Sequence, residues 1–163
     1  MALPTAFAHA GVGPMRLDDT AAVLYTADFF EICDDEQKRL LAFASEWRRF
    51  AADDVLYKAG DEPKGAHVLV DGTLRARPEG GKPYAISEPG SVVSSMALIL
   101  SKPRPVTVTA VTDCRTLLVP RQAFLKLCEQ SPDLAQRAVV RIQKDLNAYL
   151  GALEPARVKM KGD

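Results

Sequence analysis

Seven short segments with β-strand character, at residues 47–50, 55–57, 67–70, 73–76, 84–86, 106–111 and 115–119, are separated by the turn pairs Gly60-Asp61, Asp71-Gly72, Gly80-Gly81 and Pro89-Gly90. Many short strands with close turns point to a sandwich or jelly roll. On either side of residues 47–120 the apolar spacing becomes helical. Residues 18–30 form a mixed apolar run, and Asp34-Asp35 opens a helix with Leu40, Leu41 and Ala44 on one face. Residues 121–129 make a short helix, and Ser131-Pro132 starts a longer one expected to run to about Leu153. The expected architecture is mainly β with flanking helices: a sandwich or jelly roll followed by a long C-terminal helix.

The most informative stretch is 89–110, PGSVVSSMALILSKPRPVTVTA. Pro89-Gly90 is a turn, Ser94 or Ser95 is placed to cap the apolar run 96–100, Lys102-Pro103-Arg104-Pro105 stops it, and a β-branched strand follows. The start of a helix presents unpaired N–H groups, and an arginine returned beside them adds a planar cation, so together they form a candidate anion cradle.

These residues resemble the phosphate-binding cassette of cyclic-nucleotide-binding domains, which reads approximately F-G-E-[LM]-A-L, a few spacers, then P-R-[AS]-[AT]-T-V. The chain reads V-S-S-M-A-L, I-L-S-K, P-R-P-V-T-V, so Met96, Ala97, Leu98, Pro103, Arg104, Thr107 and Val108 stand in register without a gap. The stretch 58–76, KAGDEPKGAHVLVDGTLRA, is similar to the family's strand, Gly-Asp turn and strand. The resemblance covers about residues 29–153 and implies the fold of a catabolite-activator-like sensor domain, a double-stranded β-helix (jelly roll) followed by a long C-terminal helix. It implies three parts: an arm and helix at 1–28, the domain proper at 29–153, and a flexible tail at 154–163. It also implies a ligand site formed by Ser94, Ser95, Met96, Ala97, Arg104, Pro105, Val106 and Thr107. No metal or cofactor is implied; cyclic AMP and cyclic GMP are the candidate ligands.

The chain departs from the family where a ligand would sit. Ser94 replaces the glycine, Ser95 the glutamate that in the family binds the ribose 2′-hydroxyl, and Pro105 the small residue after the arginine. A hydrogen bond to a charged group contributes about 1.5–3 kcal/mol, and an orphaned partner costs about 1–3 kcal/mol. Losing both the glutamate and the N–H at position 105 lowers nucleotide affinity by roughly two to four orders of magnitude. Two functions therefore compete. One is a non-enzymatic sensor that binds a cyclic nucleotide weakly or another small anionic ligand. The other is a domain that binds no nucleotide and serves as a protein-interaction or dimerisation scaffold, for which a pocket filled by its own side chains is expected.

Other classes are disfavoured. Lys plus Arg and Asp plus Glu both number 21, which leaves no basic footprint for nucleic acid. Only ten residues follow Leu153, so direct DNA binding is not expected. His9 and His67, the two histidines, do not make a cupin-type metal site, and no nucleophile elbow or phosphate-binding Walker loop is present. No catalytic centre is expected. Cys33, Cys114 and Cys128 are odd in number and widely spaced, which fits a reduced, cytoplasmic setting better than a disulfide framework. The start, MALPTAFAHAGVG, has no basic residue before Arg16 and is too short to span a bilayer, so neither signal peptide nor membrane segment is expected. Ala135, Val139, Ile142, Leu146, Tyr149 and Leu153 are spaced as a heptad seam. In bacterial relatives the corresponding helix pairs two subunits, so the resemblance implies a homodimer through 131–153; a further protein partner is left open.

Overall fold

The computed structural model describes the backbone of residues 17–102 and 105–161 and the side chains of residues 19–102 and 105–147. Helix α1 (Leu17–Thr26), a 3-10 turn (Asp28–Ile32) and helix α2 (Asp35–Ala44) precede the strands. These are β1 (Glu46–Phe50), β2 (Val55–Tyr57), β3 (Gly65–Asp71), β4 (Leu74–Pro78), β5 (Tyr84–Ile86), β6 (Val92–Val93), β7 (Val106–Ala110) and β8 (Cys114–Pro120). A second 3-10 turn (Ser95–Leu98) lies between β6 and β7, and helices α3 (Arg121–Gln130) and α4 (Pro132–Lys161) follow β8. The strands form two antiparallel four-stranded sheets, ordered β1-β8-β3-β6 and β2-β7-β4-β5, which is the expected jelly roll with flanking helices.

All seven expected strand segments are present, and β6, with two residues, is the addition. Helix α4 continues past Leu153 to Lys161. The helix starts follow their capping chemistry. Asp34 and Gln37 form a reciprocal capping box at α2, each side chain accepting the other's backbone N–H at 2.8 and 2.9 Å. Ser131 Oγ accepts from Leu134 N at 3.4 Å ahead of Pro132.

The two sheets are buried differently, and the strand sequences say why. In β3 the run Ala66-His67-Val68-Leu69 is buried without alternation, because one face meets helices and the other meets the opposite sheet. Ala66, Val68, Leu117 and Val119 pack with Leu24, Phe29, Phe30, Leu41, Phe124, Leu134 and Ile142 from the helical elements. A second cluster, Leu69, Leu74, Ala76, Val93, Val106, Val108, Ala110 and Cys114, fills the space between the sheets. Strand β4 alternates, with Leu74 and Ala76 inside and Arg75 and Arg77 outside, as a sheet with one solvated face requires. Trp47 Nε1 donates to Thr20 Oγ1 at 3.0 Å and fastens β1 to α1.

His67 lies in this core at 8% exposure, with Nδ1 2.9 Å from Thr116 Oγ1 and its ring edge-on to Phe50 at 6.0 Å. Burial, reinforced by Arg48, lowers its pKa to about 4. The unfolded chain takes up that proton near pH 6.5 and the folded chain near 4, so the unfolded state binds more protons between these values. This contribution to stability is complete above pH 6.5 and is lost as pH falls towards 4, by about 3 kcal/mol at most. Urea unfolding at pH 7.5, 5.5 and 4.5 should show His67→Gln losing less stability on acidification than the parent chain; equal losses would contradict the assignment.

Candidate functional site

A cavity of about 550 Å³ opens between the β4-β5-β7 sheet, the segment 88–96, the first 3-10 turn and helix α4. Its volume falls within the range of small-molecule sites. Its apolar wall includes Phe29, Ala76, Ile86, Val93, Val106 and Val108; Tyr57 and Tyr84 add aromatic rings with hydroxyls; Ser94, Ser95, Arg141 and Asp145 add polar groups.

The cassette is built from a single turn. The expected helix over 96–100 is instead a four-residue 3-10 turn, Ser95–Leu98, with Ala97 N donating to Ser94 O at 2.9 Å. It is anchored by Ala97 and Leu98, both fully buried. Neither serine caps it in the expected way. Ser94 occupies the cap position without a side-chain bond to the turn, and its hydroxyl meets the Tyr57 hydroxyl instead. Its backbone is left-handed, φ 66° and ψ 46°. A residue with a Cβ holds that conformation at a cost of about 1–2 kcal/mol. The position thus keeps the geometry that glycine adopts freely, although its residue type does not show it.

Ser95 points the other way, towards α4. Its Oγ lies 3.4 Å from Asp145 Oδ2, and Asp145 Oδ1 accepts from Arg141 Nε at 3.3 Å one helical turn earlier. Arg141 also donates from Nη1 to the Asp28 carbonyl at 3.1 Å and sits 5.7 Å above the Phe29 ring. Helix α4, the cassette and the first 3-10 turn are therefore joined by polar contacts at the cavity wall.

Of the expected site residues, Ser94, Ser95, Met96 and Val106 line the cavity. Ala97 is buried behind the turn, Pro105 is exposed with its carbonyl accepting from Glu79 N at 2.8 Å, and Thr107 Oγ1 accepts from Ala59 N at 2.9 Å; none of these three lines the cavity. Arg104, with Pro103, lies outside the described residues, as do residues 1–16 of the expected arm and helix at 1–28. Sequence reasoning missed Tyr57, Tyr84, Arg141 and Asp145. An Arg and an Asp four residues apart read as an ordinary helix-surface pair, and only the packing of α4 brings them to the cavity.

The heptad seam does not coincide with the face that α4 buries. Leu134, Ala138 and Ile142 are buried, Ala135 and Leu146 are half-buried, and Val139 is 56% exposed; the side chains of Tyr149 and Leu153 lie outside the described residues. Burial raises the Cys33 thiol to about 12, with smaller effects from neighbouring charges, so it is an inert core group. Among the described residues no His, Cys, Asp and Glu cluster is arranged to hold a metal ion, and no helix is long and apolar enough to cross a membrane.

Similar architecture and sequence occur in known proteins. A cyclic nucleotide-binding-like protein from Brucella abortus is 29% identical, with a TM-score of 0.56, and the match covers 68% of this chain and 98% of that one. The regulatory domain of Toxoplasma gondii PKA, solved with cAMP, has a TM-score of 0.67 at 18% identity, over 82% of this chain and 51% of that one. Lysophospholipase nte1 of Aspergillus oryzae is 31% identical over 96 residues, which are 56% of this chain and 6% of that protein. The chain thus spans a small fraction of that curated relative and matches it only over the region of the sandwich. The sequence model of the cyclic nucleotide-binding domain matches residues 47–131, just over half of the chain, and with the two-sheet sandwich and its cassette turn this establishes that the chain belongs to the cyclic nucleotide-binding domain family.

Proposed function

We propose that the chain is a non-enzymatic sensor whose cavity takes a cyclic nucleotide weakly, or another small anionic ligand of similar size. The observation that carries this reading is the open cavity of about 550 Å³ at the cassette, where a scaffold without a ligand would have side chains. Tyr57 and Tyr84 supply ring surface suited to a base, and the resemblance assigns the phosphate to the 3-10 turn and Arg104. Ser95 and Pro105 are the reasons to expect weak affinity. The sensor works in the cytoplasm and pairs through α4, on which Val139 and Val140 are exposed at 56% and 62%.

Calorimetric titration with cyclic AMP and with cyclic GMP tests the assignment. The expected result is micromolar or weaker binding of one of them, reduced about tenfold or more in Arg104→Ala. Absence of heat with both, in a chain whose fold is intact by circular dichroism, would instead support the dimerisation scaffold.

A further inference from the structure

The position of Asp145 has a specific chemical consequence. An ionised carboxylate only accepts hydrogen bonds, and its two oxygens offer about four lone-pair sites. Here one oxygen takes Arg141 Nε at 3.3 Å and the other takes Ser95 Oγ at 3.4 Å. Both contacts are at the long end for hydrogen bonds, so neither saturates its oxygen. A ligand hydroxyl at about 2.7 Å would make a stronger bond to the same atom.

The surroundings suit this use. Asp145 lines the cavity and its side chain is 37% exposed, so it faces the space a ligand would occupy while remaining tied to the wall. Asp28 and Glu88 also line the cavity, but both are exposed residues. Arg141 offsets the Asp145 charge, which lowers the repulsion an anionic ligand would meet. Arg141 is itself engaged by the Asp28 carbonyl and the Phe29 ring, so it holds the carboxylate in place from the side of the first 3-10 turn.

We propose that Asp145, carried by α4, is the specificity-determining acceptor of this cavity: it selects ligands that present a hydroxyl beside the cassette and takes that hydroxyl in exchange for Ser95. This rests on the reading of the cavity as a cyclic-nucleotide site.

The test compares cyclic AMP with 2′-deoxy cyclic AMP by titration calorimetry on the full chain, the Asp145→Ala variant and the Ser95→Ala variant. The parent chain is expected to prefer the ribose nucleotide by about tenfold, the magnitude of one hydrogen bond to a charged group. Asp145→Ala is expected to bring the ratio close to one, whereas Ser95→Ala keeps it. The ratio is the readout because releasing Arg141 alters affinity for both nucleotides alike. Equal affinities in the parent chain, or a preference that survives Asp145→Ala, would overturn this inference and leave the nucleotide site standing. A preference lost in Ser95→Ala and kept in Asp145→Ala would assign the selection to the serine. Binding of neither nucleotide would overturn the nucleotide reading, and this inference with it.

Discussion

Gly65→Ala is expected to destabilise the domain by about 3–5 kcal/mol, a large share of the stability of an ordinary domain. Gly65 opens β3 opposite Pro120 of β8. A Cβ there would lie 2.1 Å from the Val119 carbonyl oxygen and 2.9 Å from its carbon. Both are backbone atoms of the neighbouring strand, so no rotamer change relieves the contact. Only separation of β3 from β8 would, and these are the two inner strands of their sheet. Gly60 provides the comparison. Its φ is 95° but a Cβ at that position would meet nothing within 4 Å, so Gly60→Ala carries backbone strain alone, about 1–2 kcal/mol. Urea denaturation of the two variants should separate these costs, and a Gly65→Ala midpoint no lower than that of Gly60→Ala would refute the steric account.

The same contrast between what a residue is and what surrounds it divides the readable from the unreadable part of the sequence. The strands were legible because turn pairs such as Asp71-Gly72 and Gly80-Gly81 punctuate β-branched runs, and each expected segment falls on an observed strand. Strand β6, Val92–Val93, was not, because two residues show no alternation. The cassette was legible as a motif, while its geometry was not: a left-handed Ser94 looks like any serine, and a four-residue 3-10 turn looks like the start of a helix. Helix α4 shows the limit most clearly. Its apolar residues fit two stripes, Ala135-Val139-Ile142-Leu146 and Leu134-Ala138-Ile142, and the chain buries mainly the second. A periodicity argument fixes the helix but not its rotation about its own axis, and that rotation is what brings Arg141 and Asp145 to the cavity.

Phe30→Ala is expected to cost about 3–5 kcal/mol and to weaken ligand binding as well, although Phe30 itself does not line the cavity. Phe30 is fully buried in the cluster that joins the helices to the β3-β8 face. Its ring meets Phe29 edge to face, with centroids 5.0 Å apart and planes at 80°. Phe29 does line the cavity, packs against Phe124 at 6.4 Å, and carries Arg141 above its ring. Removing the Phe30 ring leaves a void beside Phe29, and a close-packed core fills such a void partly by moving neighbours into it. Inward movement of Phe29 would withdraw the surface under Arg141 and loosen the Arg141–Asp145–Ser95 contacts at the cavity wall. Phe124→Ala removes a ring of the same size from the same cluster, and its cost should fall in the same range. Thermal unfolding gives the stability change, and titration below the unfolding range gives the affinity. A Phe30→Ala chain that loses stability but binds with unchanged affinity would show that the cavity wall is held independently of the core behind it.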